Sequence, residues 1–122
     1  MTATDEYVLV VEDDDDVRGA LAAYLEGEGH RVVEAADGGE ALAQLRASGA
    51  PCVILLDLFM PRVNGWEFRA EQVRDAALAR IPVVVISADP AVAKNAAELG
   101  VDGHLAKPVD FDRLREYVNR FC

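Results

Sequence analysis

The chain has 122 residues, 52% of them hydrophobic and 28% charged, which fits one folded domain spanning residues 1–122 with a single core. Acids outnumber bases 22 to 12 for a net charge of −10, and this speaks against direct binding to nucleic acid or to an anionic membrane. No apolar run approaches the ~20 residues of a membrane helix, and the opening Met-Thr-Ala-Thr-Asp-Glu lacks the order of a secretory signal. Cys52 and Cys122 show neither metal-ligand spacing nor a disulfide framework, so a reducing cytoplasm is the expected setting.

Apolar runs then alternate with amphipathic stretches. Tyr7–Val11 opens the series, followed by a helical face of Val17, Leu21, Tyr24 and Leu25 and a stop at Gly29. After Arg31–Ala35, Asp37 and Glu40 resemble a capping box ahead of Ala41, Leu42 and Leu45. Cys52–Leu56 is followed by Asn64-Gly65, which reads as a turn needing positive φ. Trp66, Ala70 and Val73 then form a third helical face, with Trp66 expected in the core. Pro82–Ile86 leads to Pro90 in a helical first turn, a face of Val92, Ala96 and Leu99, and a stop at Gly100. Gly103–Ala106 is short, and Asp110 is the expected N-cap of a last helix bearing Leu114, Tyr117, Val118 and Phe121. His30 falls in the loop before the second run.

Five such βα units predict an α/β fold, a doubly wound parallel sheet with helices on both faces. The first, third and fourth runs are continuously apolar, as strands buried on both faces are. The second alternates with charge and the fifth is mixed, so these two are edges and the order is 2-1-3-4-5. Flavodoxin has that order, and its ligands bind where the order reverses, at the carboxyl ends of the first and third strands.

Acids crowd that edge. Glu12 and Asp13 close the first strand, and Asp57 closes the third. Asp14, Asp15 and Asp16 lie where a helix begins, and there capping and the helix dipole account for them. Two carboxylates ~4 Å apart repel by about 4 kcal/mol at an effective dielectric of ~20. Glu12, Asp13 and Asp57 together therefore call for a cation, and Mg²⁺ suits because it needs few protein ligands and keeps several waters. Ser87 ends the fourth strand with a hydroxyl, and Lys107-Pro108 ends the fifth with an ammonium able to pair with phosphate.

With these residues in place, the chain resembles the receiver domain of two-component response regulators from Tyr7 to Phe121. The motifs are VLVVEDD (8–14), GEGHRVVEAADGGEAL (27–42), LLDLFMPRVNG (55–65), VVVISA (83–88) and GVDGHLAKP (100–108). The resemblance implies a flavodoxin-like receiver fold and a phosphoryl group accepted on Asp57 from a histidine kinase or a histidine phosphotransfer protein. It implies Mg²⁺ held by Asp13 and Asp57, by the backbone carbonyl of Phe59, and by Glu12 through waters. Lys107 would pair with the phosphoryl group, Ser87 would hydrogen-bond it, and the Lys107–Pro108 bond would be cis. Phosphorylation would change the conformation and pass the signal by contact with a downstream target, in a monomer or a phosphorylation-dependent dimer. The usual signalling face would cover Pro90–Gly100 and Gly103–Cys122. No enzyme activity is expected beyond self-catalysed phosphoryl transfer and autodephosphorylation, and no output domain is expected after the receiver.

Two positions depart from the family pattern. His104 stands where Tyr or Phe usually acts as the switch residue, so it would be a smaller, titratable switch. Phe59, with Asp89 beyond Ser87, flanks the path of the hydrolytic water, and a shielding Phe59 would lengthen the phosphoryl lifetime. Three other readings compete. A phosphatase of the haloacid-dehalogenase type would want a second Asp where Phe59 stands. A flavin-binding module would be repelled by the acids after the first strand. A receiver-like interaction module that is not phosphorylated would have no need of Glu12, Asp13, Asp57, Ser87 and Lys107 together.

Overall fold

The computed structural model describes residues 6–60, 62–89, 91 and 96–122. Five strands alternate with helices: β1 (Val8–Val11), α1 (Asp15–Gly27), β2 (Val32–Ala35), α2 (Gly38–Ser48), β3 (Val53–Asp57), α3 (Gly65–Arg74), β4 (Val83–Ser87) and β5 (Gly103–Ala106), then α4 (Phe111–Phe121). A short 3-10 helix, Ala96–Leu99, precedes β5. All the strand pairs are parallel and their order is β2-β1-β3-β4-β5, as the apolar patterning predicts. The expected positions of Pro90 and Val92 lie outside the described residues.

Period-2 alternation sorts the side chains of the central strands into two cores. Leu9, Val11, Ile54, Leu56, Val83 and Val85 pack with Leu42, Leu45 and Phe68 from α2 and α3. Val8, Val10, Val53, Leu55, Val84 and Ile86 pack with Leu21, Leu25, Leu114 and Val118 from α1 and α4. Every residue of β1, β3 and β4 is buried, whereas β2 and β5 carry exposed positions, as edge strands do.

The helix starts are set by short polar side chains. Asp14 accepts from the amides of Asp16 and Val17, Asp37 from that of Glu40, and Asp110 from those of Asp112 and Arg113. Gly29 and Gly100 take φ of 92° and 70° just past helical segments, as their role as stops requires.

Three expectations are corrected. Asn64-Gly65 is not a positive-φ turn: Asn64 has φ −79° and N-caps α3 in a full capping box with Glu67. Second, α3 buries Gly65, Phe68, Arg69 and Gln72, while Trp66 and Val73 are exposed at 38% and 48%. The buried face can carry polar groups because they meet carbonyls: Arg69 donates to Leu99 O, Gly100 O and Gln72 Oε1, and Gln72 to Leu78 O and Ile81 O. Such partners lie outside the helix, so helical periodicity gives no sign of them. Third, Cys52 and Cys122 form a disulfide with their Cα atoms 5.3 Å apart. Seventy positions separate them in sequence, and they meet because β3 starts where α4 ends.

Candidate functional site

The pairing register lines up the strand ends. Val11 lies beside Leu56, so Glu12 follows β1 where Asp57 ends β3. Asp57 faces Ile86 in β4, and Ser87 faces Ala106, immediately before Lys107. The Lys107 amide also donates to Ser87 O at 3.0 Å. Residues from four strands thus reach one edge, at the point between β1 and β3 where the strand order reverses.

Glu12 and Asp57 are buried there, at 1% and 3% exposure, while Asp13 is exposed. Glu12 Oε2 accepts from the Asp14 amide at 3.1 Å, and Asp57 Oδ1 from the Phe59 amide at 3.2 Å. Lys107 Nζ approaches Glu12 Oε1 to 2.6 Å and Asp57 Oδ2 to 3.6 Å. Its contact with the buried Glu12 is the closer of the two ion pairs. Burial, followed by a hydrogen bond and charge repulsion from Glu12, pushes the Asp57 carboxyl up to about 7 against the pull of Lys107.

One carboxylate oxygen from each of Glu12, Asp13 and Asp57 lies within 4.8 Å of the others. The group can hold a metal ion: three acids face one ammonium, and hard carboxylate oxygens are the ligands that Mg²⁺ takes.

The remaining expected residues are placed less directly. Ser87 is buried at 1% exposure, and its Oγ accepts from the Asp89 amide at 3.1 Å. Phe59 is 52% exposed and meets Trp66 edge-on, with ring centroids 5.1 Å apart. These two rings and Asp13 line an open pocket beside the acids. Trp66 therefore stands at the rim of the site and not in the core. His104 is exposed on β5 opposite Val85, away from the acids in register. The Lys107–Pro108 bond is cis, as the resemblance implies.

One tie had no place in the sequence reading. Arg62, with φ 60°, donates from Nε and Nη2 to Asp37 Oδ2 at 2.9 and 2.6 Å, and the Gly38 amide donates to Val63 O at 2.9 Å. The loop after β3 is thereby fastened to the N-terminus of α2. Asp37 was legible as a cap, but the cap shows nothing of its second partner 25 residues on.

Comparison with known proteins agrees with this geometry. The response regulator receiver domain model matches residues 8–119, and the chain belongs to that family. Protein PilH of Pseudomonas aeruginosa is 32% identical over 114 residues, covering 92% of this chain and 93% of that protein. The regulator of RpoS of Escherichia coli is 40% identical over 91% of this chain, which spans only 33% of that longer protein. Among solved structures, the Vibrio cholerae chemotaxis protein CheY4 superposes with a TM-score of 0.85 at 28% identity, covering 96% of this chain and 98% of that one. A response regulator receiver protein from Pseudomonas putida gives 0.86 at 31% identity, covering 94% and 96%. The chain is thus a receiver of two-component signalling with a flavodoxin-like fold, and receivers take their signals from histidine kinases and act on downstream targets. No helix among the described residues is long and apolar enough to cross a membrane.

Proposed function

We propose that Asp57 is the phospho-acceptor and that Glu12, Asp13 and Asp57 hold Mg²⁺, with the Phe59 carbonyl as a further ligand. The supporting observation is the meeting of Glu12, Asp13, Asp57 and Lys107 at one sheet edge, where three carboxylates face a single ammonium. A carboxylate oxygen of Asp57 attacks phosphorus in the donor's phosphohistidine; the P–O bond forms as the P–N bond breaks, and the imidazole leaves with its electron pair. Bound Mg²⁺ would supply neutralisation of charge on the phosphoryl oxygens. Lys107, held 3.6 Å from Asp57, is close enough to exchange its Glu12 contact for an incoming phosphoryl oxygen. Ser87 would donate its hydroxyl proton to the same group, and Phe59 and Trp66 would wall the solvent side. The exposed His104 would be the switch residue, relaying the change to a target protein.

The donor in this reading is a histidine kinase or a histidine phosphotransfer protein, and the product is an aspartyl phosphate in a monomer or a phosphorylation-dependent dimer. The chemistry is self-catalysed transfer and autodephosphorylation, not turnover of a separate substrate. A cytoplasmic setting follows from a donor charged by a nucleoside triphosphate; the paired cysteines no longer argue for it.

The test is incubation with Mg²⁺ and acetyl phosphate followed by intact-mass measurement. One phosphoryl group per wild-type chain is expected, and none on Asp57→Asn. Equal labelling of the two would overturn the assignment.

A further inference from the structure

We propose that Cys52 and Cys122 form a reversible thiol–disulfide exchange site, open to low-molecular-weight thiols and disulfides, that clamps the end of α4 to the foot of β3. Its two halves are held differently. Cys52 is half-buried just before β3, and its amide donates to Tyr7 O at 2.9 Å, which fixes it to the start of β1. Cys122 is exposed at the end of α4, where its amide bonds only back into the helix, to Val118 O at 2.8 Å. Helix ends fray, so the bond ties a segment prone to local opening to one that is not.

Access and chemistry agree. Both sulfur-bearing residues line a solvent-open cleft of about 130 Å³ together with Tyr7, His30 and Arg31. Cys122 is the more exposed of the two residues, so an attacking thiolate is expected to meet it first. That attack forms a mixed disulfide at Cys122 and expels Cys52 as a thiolate into the cleft, which Arg31 and Glu6 also line. A second thiol then attacks the external sulfur of the mixed disulfide. The balance is one protein disulfide and two thiols giving two protein thiols and one small disulfide, and the reverse reaction needs only the small disulfide as oxidant. In a reducing compartment, disulfides of mesophilic proteins are usually transient or redox-sensing, so exchange and not permanence is the expected behaviour there.

The site is independent of the phosphoryl site. Cys52 and Asp57 stand at opposite ends of β3, five residues or roughly 17 Å apart at ~3.3 Å per strand residue. Reduction is therefore expected to release the last turn of α4 while the acidic edge keeps its geometry.

Glutathione is the probe. Purified chain is equilibrated with defined ratios of reduced to oxidised glutathione, quenched with an alkylating agent and weighed, and its Tm is read at each ratio. The expected result is interconversion between an intramolecular disulfide and two alkylatable thiols, with an intermediate carrying glutathione on Cys122. Closing a loop of this length is expected to raise Tm by roughly 10 °C. Amide exchange in the last turn of α4 is expected to rise on reduction, with acetyl-phosphate labelling unchanged. Cys52→Ser is expected to retain glutathione on Cys122, and Cys122→Ser to match the reduced wild-type Tm. The proposal is overturned by a disulfide that resists the thiol, by two thiols that never pair, by disulfide-linked dimers, by glutathione settling on Cys52, or by a Tm that ignores the redox ratio.

Discussion

The ammonium of Lys107 lies 2.6 Å from Glu12 Oε1 and 3.6 Å from Asp57 Oδ2, so the acid that holds it most closely is not the proposed acceptor. Asp57 is left with partial compensation, and Glu12 raises its pKa both by hydrogen bonding and by charge. Glu12→Gln removes that charge. In the metal-free variant, the Asp57 carboxyl is expected to titrate below the value of about 7 that it has beside Glu12. Mg²⁺ affinity is expected to fall on the order of tenfold, as for loss of a group supporting a metal site. Carboxyl NMR titration and calorimetry read the two effects, and an unchanged Asp57 midpoint would refute the coupling.

Asp57 and Asp37 are expected to tilt stability in opposite directions with pH. Folded Asp57 keeps its proton to about pH 7, whereas in the unfolded chain it titrates at 3.8. Between those values the folded state binds more protons, so the metal-free protein loses stability as pH rises from about 4 to about 7. Asp37 is pulled below 3.8, first by the Glu40 amide and then by Arg62. Its contribution is complete above that value and is lost as pH falls through the lowered one. Urea unfolding across pH, without metal, checks both. Asp57→Asn should abolish the loss between pH 4 and 7, and Asp37→Asn should flatten part of the acid limb.

The sheet order and the acidic edge were legible because both follow from local patterns. Fully buried strands read as apolar runs, and strand ends place Glu12, Asp57, Ser87 and Lys107 by register alone. What escaped depends on contacts across the chain. Arg62 meets Asp37 from 25 positions away, and Arg69 meets Leu99 O from 30. The disulfide spans 70. Helical periodicity also misled at α3, where Trp66 is the obvious core candidate but Gln72, like Phe68, has 0% exposure. A buried amide with two carbonyl partners leaves no trace in a hydrophobic pattern.

That α3 network makes a prediction of its own. Arg69 caps the carbonyls of Leu99 and Gly100 and donates to Gln72 Oε1, which in turn orients the Gln72 amide toward Leu78 O and Ile81 O. Burial without a carboxylate bonded to it lowers the Arg69 pKa. Arg69→Met is expected to cost about 2–4 kcal/mol, since it strips donors from three acceptors. Gln72→Leu is expected to cost about 2–3 kcal/mol for two. The pair should be non-additive by roughly 1 kcal/mol, because they share a bond. Hydrogen exchange separates their roles: amides of residues 96–100 should open in Arg69→Met and stay protected in Gln72→Leu.

Gly65 provides the sharpest test of how closely the loop after β3 must approach the acceptor. A methyl there would lie 2.6 Å from Leu58 Cα and 2.7 Å from Asp57 O, and neither main-chain atom can swing aside as a side-chain tip would. The Gly65 amide also donates to Leu58 O at 3.0 Å, so the clash cannot be relieved without losing that bond. Gly65→Ala is therefore expected to lose about 1–3 kcal/mol of stability through overpacking. Its displaced Asp57 should also be phosphorylated on the order of a hundredfold more slowly by acetyl phosphate, because a shift of ~1 Å in a reacting group has an effect of that size. Gly19→Ala is the control. Gly19 lies in α1 with nothing within 4 Å of an added methyl, and Ala there should raise stability by roughly 0.5–1 kcal/mol and leave labelling unchanged. Chemical denaturation and labelling kinetics on both variants decide it: if Gly65→Ala behaves like Gly19→Ala, the close approach does not position Asp57.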